Sequence, residues 1–589
     1  MENQQTPSIS LLWPAGFPAA SRQVADLRNE RGATDLGLDA LASALSIDPY
    51  YTDGIKTILA MLCDQPQVIA YRHAVLDDLL NHPALAAGLA AGLPLLVQLG
   101  YASDRARAGE TQLHQAVSRL GELELYVEAV KQFRRLLEDA GEALGSAALR
   151  NLRNLLIERE ADPAFQSLAA ELPALGAEIR AVRSVSIGIN LDPELLPFEA
   201  ALLGVSSQRY KGASASLLGK LLGIKPGEDA GDYQGIAPLH TTPLSSSLPA
   251  YAAGHGMYAN PLLVPLFKDL NDVLEAVSKP VVKALNRYIK INGGFLIALQ
   301  REIAFYLGGL RLIQRIRAAG LPICRPEVLP REQRACEVRD SYNLNFALRL
   351  LARQPGADLG SLIVTNDVNF GDDGRIFILT GPNQGGKTTY TQAAGLVQVL
   401  CQAGLYVPGS SARISPVDGI YTHFPVEERP SLEAGRLGEE AKRLAEIFTR
   451  ATRYSLVLLN ESLASTSPGE GLYLARDIVR ALKLLGARAI FATHLHELAE
   501  GLDAFNAAWQ GDSRLISLVA GTAGSSAGTV GGSAGAGLDS ASGAEDSALR
   551  TYKILPGPAL GLSYARDIAT RYGISFEQLQ QALNARTSA

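Results

Sequence analysis

A chain of 589 residues, 47 % hydrophobic and 19 % charged, is too apolar to be disordered, and at roughly 100–200 residues per domain it holds three or four domains. A formal net charge of −6 excludes nucleic-acid binding through a broadly basic surface and leaves room only for a local basic groove. Four scattered cysteines, Cys63, Cys324, Cys336 and Cys401, lack metal-ligand spacing and fit a reducing cytoplasm.

The start, Met1-Glu-Asn-Gln-Gln, has neither the basic nor the apolar region of a signal peptide. Residues 1–34 read as an irregular leader. From 35 to 183 the pattern is helical: Leu113, Val117, Leu120, Leu123, Val127 and Val130 recur at three- and four-residue steps, and Leu149, Leu152 and Leu155 open another run. The most apolar run, Ala84 to Leu99, is shorter than the ~20 residues of a membrane helix and contains Pro94, so a soluble cytoplasmic protein is expected. Such helices make either an ordinary bundle or a lever reaching away from a body.

Residues 184–258 change character. Ser184-Val-Ser-Ile-Gly-Ile-Asn190 alternates with period two, as a strand does, and Gly, Pro and Ser then become frequent. Helical periodicity returns over 259–335 with a basic surface; Lys283, Arg287 and Lys290 lie in it. Leaving on one helix, making a small β-containing insertion and returning on another is a coherent architecture.

Residues 336–556 alternate apolar strands with helices: Arg375-Ile-Phe-Ile-Leu-Thr380, then Ser455–Leu459, then Ala487-Arg-Ala-Ile-Phe-Ala492. That alternation predicts an α/β domain with a largely parallel sheet. Residues 521–547 are almost all Gly, Ala, Ser and Thr and form a flexible loop between strands at Arg514–Ala520 and Leu549–Leu555. Two short helices follow in 557–589, hinged at Gly573.

The chemistry centres on Gly381-Pro-Asn-Gln-Gly-Gly-Lys-Thr388, a match to the phosphate-binding loop G-x-x-x-x-G-K-[ST] between a strand and a helix. The backbone of Gly381, Pro382, Asn383, Gln384, Gly385 and Gly386 would cradle ATP phosphates, Lys387 would reach the β- and γ-phosphates, and Thr388 would ligate Mg²⁺, with Thr389 completing the site. A side chain that contacts phosphates belongs at the surface, so Lys387 is expected to be partly exposed. Downstream, Leu456-Val-Leu-Leu-Asn-Glu-Ser462 ends an apolar strand in Asn460-Glu461, where P-loop ATPases usually carry Asp-Glu. Glu461 stands where a general base would face the attacking water. His494, at the end of the next strand, is placed to sense the γ-phosphate, ahead of His496.

Thr380-Gly-Pro-Asn-Gln-Gly-Gly-Lys-Thr-Thr389 resembles the phosphate loop of the MutS mismatch-repair ATPases. Phe491-Ala-Thr-His-Leu-His-Glu-Leu498 resembles their switch-histidine segment. Tyr552-Lys-Ile-Leu-Pro-Gly-Pro558 with Ser563-Tyr564-Ala565 resembles the start of their C-terminal dimerisation helices, and Asn366-Asp367 a short motif ahead of their ATPase core. The resemblance covers about 360–589; residues 35–335 fit the family's helical core, lever and clamp by architecture. It implies a multidomain fold: an α-helical core/lever with a clamp-like insertion at 184–258, then an α/β P-loop ABC-type ATPase domain with a C-terminal helix pair. It also implies a homodimer, DNA as ligand, and Asn460 as an outer ligand of Mg²⁺.

Departures accompany it. The helical core begins by about residue 35 with no Phe-x-Glu ahead of it, and no Smr nuclease module follows residue 589, so the expected type is a shortened MutS homologue without a mismatch reader. The clamp-like stretch balances its basic residues with acids, which makes Lys283, Arg287 and Lys290 the better DNA candidates. Where the family carries Ser-Thr to touch the partner's γ-phosphate, alignment places Leu437-Gly438, with Gly435 and Arg436 beside them. The expected function is an ATP-switched dimer acting on branched or non-canonical DNA, with slow hydrolysis. A nucleotide-gated scaffold that binds protein partners without DNA is the alternative. A small-molecule kinase would have no use for the long helices.

Overall fold

The computed structural model describes residues 9–17, 25–27, 31–108, 112–180, 183–195, 197–208, 210–211, 233–234, 279, 281–288, 291, 293–382, 384–425, 436–463, 466–522, 550–558 and 573–580. Two compact units divide the chain: Met1–Ala90, Ala140–Leu152 and Arg301–Ala589 form the first, Ala91–Asp139 and Arg153–Gln300 the second.

The helical half contains α1 (Leu38–Leu45), α2 (Thr52–Ala60), α3 (Pro66–Asn81), α4 (Pro83–Ala108), α5 (Gln112–Asp139), α6 (Ala147–Ala161), α7 (Pro163–Arg180) and, after the insertion, α8 (Gly294–Ala318). Pro66 sits at the first position of α3, where its missing N–H costs nothing. The division between units falls within α4, α6 and α8. Within the second unit, α5 lies against α7, and Tyr126 meets Phe165 edge to face with ring centroids 5.9 Å apart. The alternating stretch after α7 forms β1 (Ser184–Leu191), paired antiparallel with β2 (Pro197–Ser206). Most of the rest of 184–258, and 259–278 of the returning helices, lie outside the described residues.

The first unit is built on a six-stranded sheet. Its members are β5 (Ile376–Thr380), β7 (Ile420–His423), β8 (Leu456–Asn460), β9 (Arg488–Ala492), β10 (Leu515–Thr522) and β11 (Arg550–Pro556), in the order β7-β8-β9-β5-β10-β11. The first five run parallel; β11 turns back antiparallel on β10, as the two stretches around the Gly/Ala/Ser loop imply. All five residues of β5, β8 and β9 are buried, which is why these strands read as unbroken apolar runs with no alternation. Their carboxyl ends therefore open on one edge of the sheet, next to the helix that follows β5, α10 (Lys387–Ala403). A second sheet places β4 (Asn366–Phe370) beside β3 (Cys336–Ser341), followed by β6 (Ser411–Ile414). Helix α9 (Leu344–Arg353) leaves β3, capped by Asn343, whose side chain accepts from Phe346 N at 3.0 Å.

One expectation is filled in and another corrected. The leader, expected only as irregular, pairs Ala25–Asp26 antiparallel with Met61–Leu62 and is buried in part: Leu11, Leu12 and Trp13 are at most 7 % exposed. Glu302 accepts from Ser10 Oγ at 2.7 Å and Leu11 N, Tyr306 donates to Leu11 O, and the Arg72 guanidinium lies 4.6 Å over the Trp13 ring. Short irregular chain has no periodicity to betray such burial. The apolar run 84–99 belongs to a longer helix, and among the described residues Pro83–Arg105 is long and apolar enough by composition to cross a membrane. Of its most apolar window, 44 % is buried inside the protein, a test that core helices also pass.

Candidate functional site

The site forms where β5, β8 and β9 end. Gly381 follows β5 with φ +133, and a Cβ there would meet Ala520 Cβ of β10 at 2.8 Å, so this turn admits only glycine. Gly386 caps α10 at φ +93. Gln384 takes the left-handed region with a side chain, φ 59. Gly385 N donates to Pro382 O at 3.2 Å, closing the loop. Asn383 lies outside the described residues.

Lys387 opens α10 and turns back under its own loop, its Nζ donating to Gly381 O and Pro382 O, each at 3.0 Å. It is 3 % exposed, which corrects the expectation of a partly exposed side chain. Two carbonyls satisfy two of the three ammonium donors, so the charge tolerates the interior. Burial lowers its pKa from the ordinary value, opposed by the nearby Glu461 carboxylate. Thr388, one residue on, donates from Oγ1 to Asn460 Oδ1 at 3.1 Å. Asn460 is 2 % exposed at the end of β8.

Glu461 follows in the left-handed region, φ 50, its N–H donating to Ala492 O at 2.8 Å. Strand β9 ends at Ala492, and two residues later His494 Nε2 donates to Glu461 Oε1 at 3.0 Å. The two side chains are 41 % and 32 % exposed, open to an incoming ligand. His496 opens the next helix, and burial with the neighbouring His494 lowers its pKa. Sheet order thus brings Lys387, Thr388, Asn460, Glu461 and His494 to one edge from stretches up to 107 residues apart (387 to 494).

Beside the loop lies a cavity of ≈ 520 Å³. Gln384, Gly386, Lys387, Thr388, Thr389 and Glu461 line one side; Phe346, Leu362, Ile363, Val364 and Tyr552 contribute apolar surface, and Ser341 a buried hydroxyl without a partner among the described residues. Tyr552, in β11, has φ 55. The Asn366 side chain holds it, donating to Tyr552 O at 3.0 Å and accepting from Ile554 N at 2.7 Å. Sequence reading singled out Asn366 and Tyr552 only as parts of motifs. The positive φ at Tyr552 is a backbone signal invisible in sequence.

The remaining candidates are less assembled. Helix α11 (Arg436–Arg450) follows 426–435, which lies outside the described residues and includes Gly435; the Arg436 side chain is outside them too. Leu437 packs against the core cluster of its own sheet, and Gly438 is exposed. Lys283 and Arg287 are exposed, one helical turn apart, but Arg287 Nη2 pairs with Glu171 Oε2 at 2.7 Å. Lys290 lies outside the described residues. No group of three or more His, Cys, Asp or Glu suited to a metal occurs among the described residues. A divalent ion at Thr388 and Asn460 needs none, since Mg²⁺ keeps several waters and takes phosphate oxygens.

Two family models match: MutS domain V over residues 377–511 and the MutS2 N-terminal domain over residues 64–319. The second covers the helical half, where the sequence resembles the family only by architecture and by scattered phrases such as Ile69-Ala-Tyr-Arg72. A DNA mismatch repair protein MutS from Chlorobaculum parvum is 40 % identical over 152 residues, 26 % of this chain and 17 % of the relative. DNA mismatch repair protein MutS 2 from Halobacterium salinarum is 37 % identical over 141 residues, 24 % of this chain and 16 % of the relative. A MutS from Microcystis aeruginosa is 30 % identical over 247 residues, 41 % of this chain and 25 % of the relative. The chain thus spans between 16 % and 25 % of the length of these curated relatives. With matches on both its helical half and its sheet domain, the chain belongs to the MutS family.

Proposed function

We propose that the chain is a Mg²⁺-dependent ATPase of the ABC type whose hydrolysis switches a DNA-binding dimer of the mismatch-repair kind in the cytoplasm. The observation that carries it is the convergence of Lys387, Thr388–Asn460 and Glu461–His494 at the ends of adjacent parallel strands, beside a cavity of ≈ 520 Å³. That volume lies in the range of small-molecule sites, about 300–1,000 Å³. The apolar wall of Phe346, Ile363 and Tyr552 suits a nucleobase, and the glycine loop beside it suits the phosphates.

Thr388 and Asn460 would hold Mg²⁺, which when bound would supply charge neutralisation for the phosphates. Lys387 offers its third donor to phosphate without leaving the two loop carbonyls. In hydrolysis a water oxygen attacks the γ-phosphorus, the bond to the β,γ-bridging oxygen breaks, and the water proton passes to Glu461. ADP and phosphate leave. His494 holds Glu461 before nucleotide arrives; a γ-phosphate competes for the same N–H and releases the carboxylate for water.

The helices of the second unit and the β1–β2 hairpin then serve as lever and clamp, and Lys283, Arg287 and Lys290 as DNA contacts. On the family resemblance, the segment Gly435, Arg436, Leu437 and Gly438 would be the one to touch a partner's nucleotide. Exposed Ile574, Phe576 and Leu579, at 58 %, 74 % and 45 %, support a C-terminal dimer seam. Phosphate release with Mg²⁺ tests the reading: wild type must exceed Glu461→Gln. The second reading, a nucleotide-gated scaffold without DNA, draws on the Arg287–Glu171 pair, which offsets one of the candidate cations. Affinity for forked and four-way DNA across a salt series separates the two, because phosphate contacts give a steep negative slope.

A further inference from the structure

We infer that His423 and Ser462 are positioning residues for the Glu461 carboxylate, an inference that rests on the ATPase reading above. After β8 the backbone takes the left-handed region twice without glycine, at Glu461 with φ 50 and Leu463 with φ 68. Such conformations persist only where the surroundings over-determine them, and they gather at functional sites. Three contacts hold this turn. Glu461 N donates to Ala492 O at 2.8 Å. Leu463 N donates to Glu440 Oε2 of α11 at 3.1 Å, with its side chain in the core. Between them Ser462, 3 % exposed, has its Oγ 2.8 Å from His423 Nδ1 in a hydrogen bond.

His423 ends β7 and pairs in register with Leu459 of β8, so its ring reaches the turn from the neighbouring strand. It is 2 % exposed, and its Nε2 has no partner among the described residues. In either tautomer the ring spends one nitrogen on Ser462 and buries the other unpaired, a cost that an apolar residue would avoid. A side chain kept for stability alone has no reason to bear that cost; one kept to fix Ser462 does. Burial, reinforced by Arg443 and Arg31, pushes the imidazole down to about 4, so it stays neutral near pH 7 and acts by geometry, not by proton transfer. Ser462 shares a peptide unit with Glu461. Pinning its hydroxyl fixes the exit from the strained residue and so the direction in which the carboxylate meets His494, 3.0 Å away.

The test uses the full chain with MgATP and four variants: Ser462→Ala, His423→Leu, His423→Asn and Glu461→Gln. Asn carries a polar atom close to the position of Nδ1. The expected result is a kcat at least tenfold lower in Ser462→Ala and His423→Leu, nucleotide Kd within twofold of wild type, Tm within a few degrees, and recovery to within threefold of wild-type kcat in His423→Asn. A folded Ser462→Ala with kcat within twofold of wild type overturns the inference alone. So does a loss of kcat that Kd and Tm follow in parallel, or a His423→Asn no better than His423→Leu, since either marks a merely structural role. If His423→Leu does not fold, Ser462→Ala decides. Wild-type phosphate release no higher than that of Glu461→Gln overturns the ATPase reading itself, and the inference with it.

Discussion

Thr388 Oγ1 donates to Asn460 Oδ1 across 3.1 Å, joining the first turn of α10 to the end of β8. An aspartate at 460 would offer the same oxygen with a negative charge. Hydrogen bonds to charged groups contribute about 1.5–3 kcal/mol and neutral ones about 0.5–1.5, so the difference is on the order of 1 kcal/mol. Asn460→Asp should therefore lower the Mg²⁺ needed for half-maximal ATPase activity by roughly fivefold. A Mg²⁺ titration of both proteins checks this.

Glu461→Gln should retain ATP binding and stop hydrolysis. Gln keeps a carbonyl for the His494 N–H but cannot take a proton from water. Binding is read by a fluorescent nucleotide and turnover by phosphate release. Hydrolysis in the variant at the wild-type rate would assign the base elsewhere.

Lys387→Ala should weaken ATP by at least tenfold, about 1.4 kcal/mol. The fold should survive. The ammonium is already destabilised by burial, and its removal frees two loop carbonyls that water can reach once the side chain is gone. Melting within a few degrees of wild type, together with lost nucleotide binding, is the expected pair of results.

Acid should destabilise the first unit through buried neutral histidines. Burial, with Arg325 nearby, pushes His73 from 6.5 down to about 3, and burial pushes His423 down to about 4. Folded pKa values below the unfolded ones mean that the unfolded chain binds more protons under pH 6.5. Stability is therefore full above 6.5 and falls as pH drops toward these values, by about 1.4 kcal/mol per unit for each histidine. Glu302 and Asp35, pushed up by burial, act in the opposite sense and offset part of the slope. Urea denaturation at pH 7.5, 6.5 and 5.5 should show a shallower loss in His73→Asn than in wild type.

Removing residues 557–589 should yield monomers by light scattering and depress ATPase activity. Ile574, Phe576 and Leu579 expose apolar surface. An unchanged dimer would place the contact on another surface.

The sheet was legible because β5, β8 and β9 are buried on both faces, and sequence assigns their unbroken apolar runs to within one residue at each end. The phosphate loop was legible because its chemistry is local: glycine, lysine and threonine within eight residues. What sequence could not show was assembled by long-range packing. Phe346, Ile363 and Tyr552 meet in one cavity from a helix, a loop and a strand far apart in sequence. His423 and Ser462 meet across two strands; His423 lies in no motif, and Ser462 only closes the Leu456–Ser462 stretch with no role of its own legible there. Lys387 was expected at the surface because its ligand is soluble, yet the carbonyls that let it sit inside belong to its own loop.

Arg72 donates to Leu12 O, 60 residues behind it, and to Gln402 O, 330 residues ahead. On a ribosome adding about 5–20 residues per second, the second partner emerges some 15–65 s after the guanidinium does. Until then the cation has no reason to leave water, and the leader and early helices that close over it have no finished interior. The nascent amino-terminal third should therefore linger in an open, protease-sensitive form that chaperones can hold, and it should lock only as the end of α10 clears the exit tunnel.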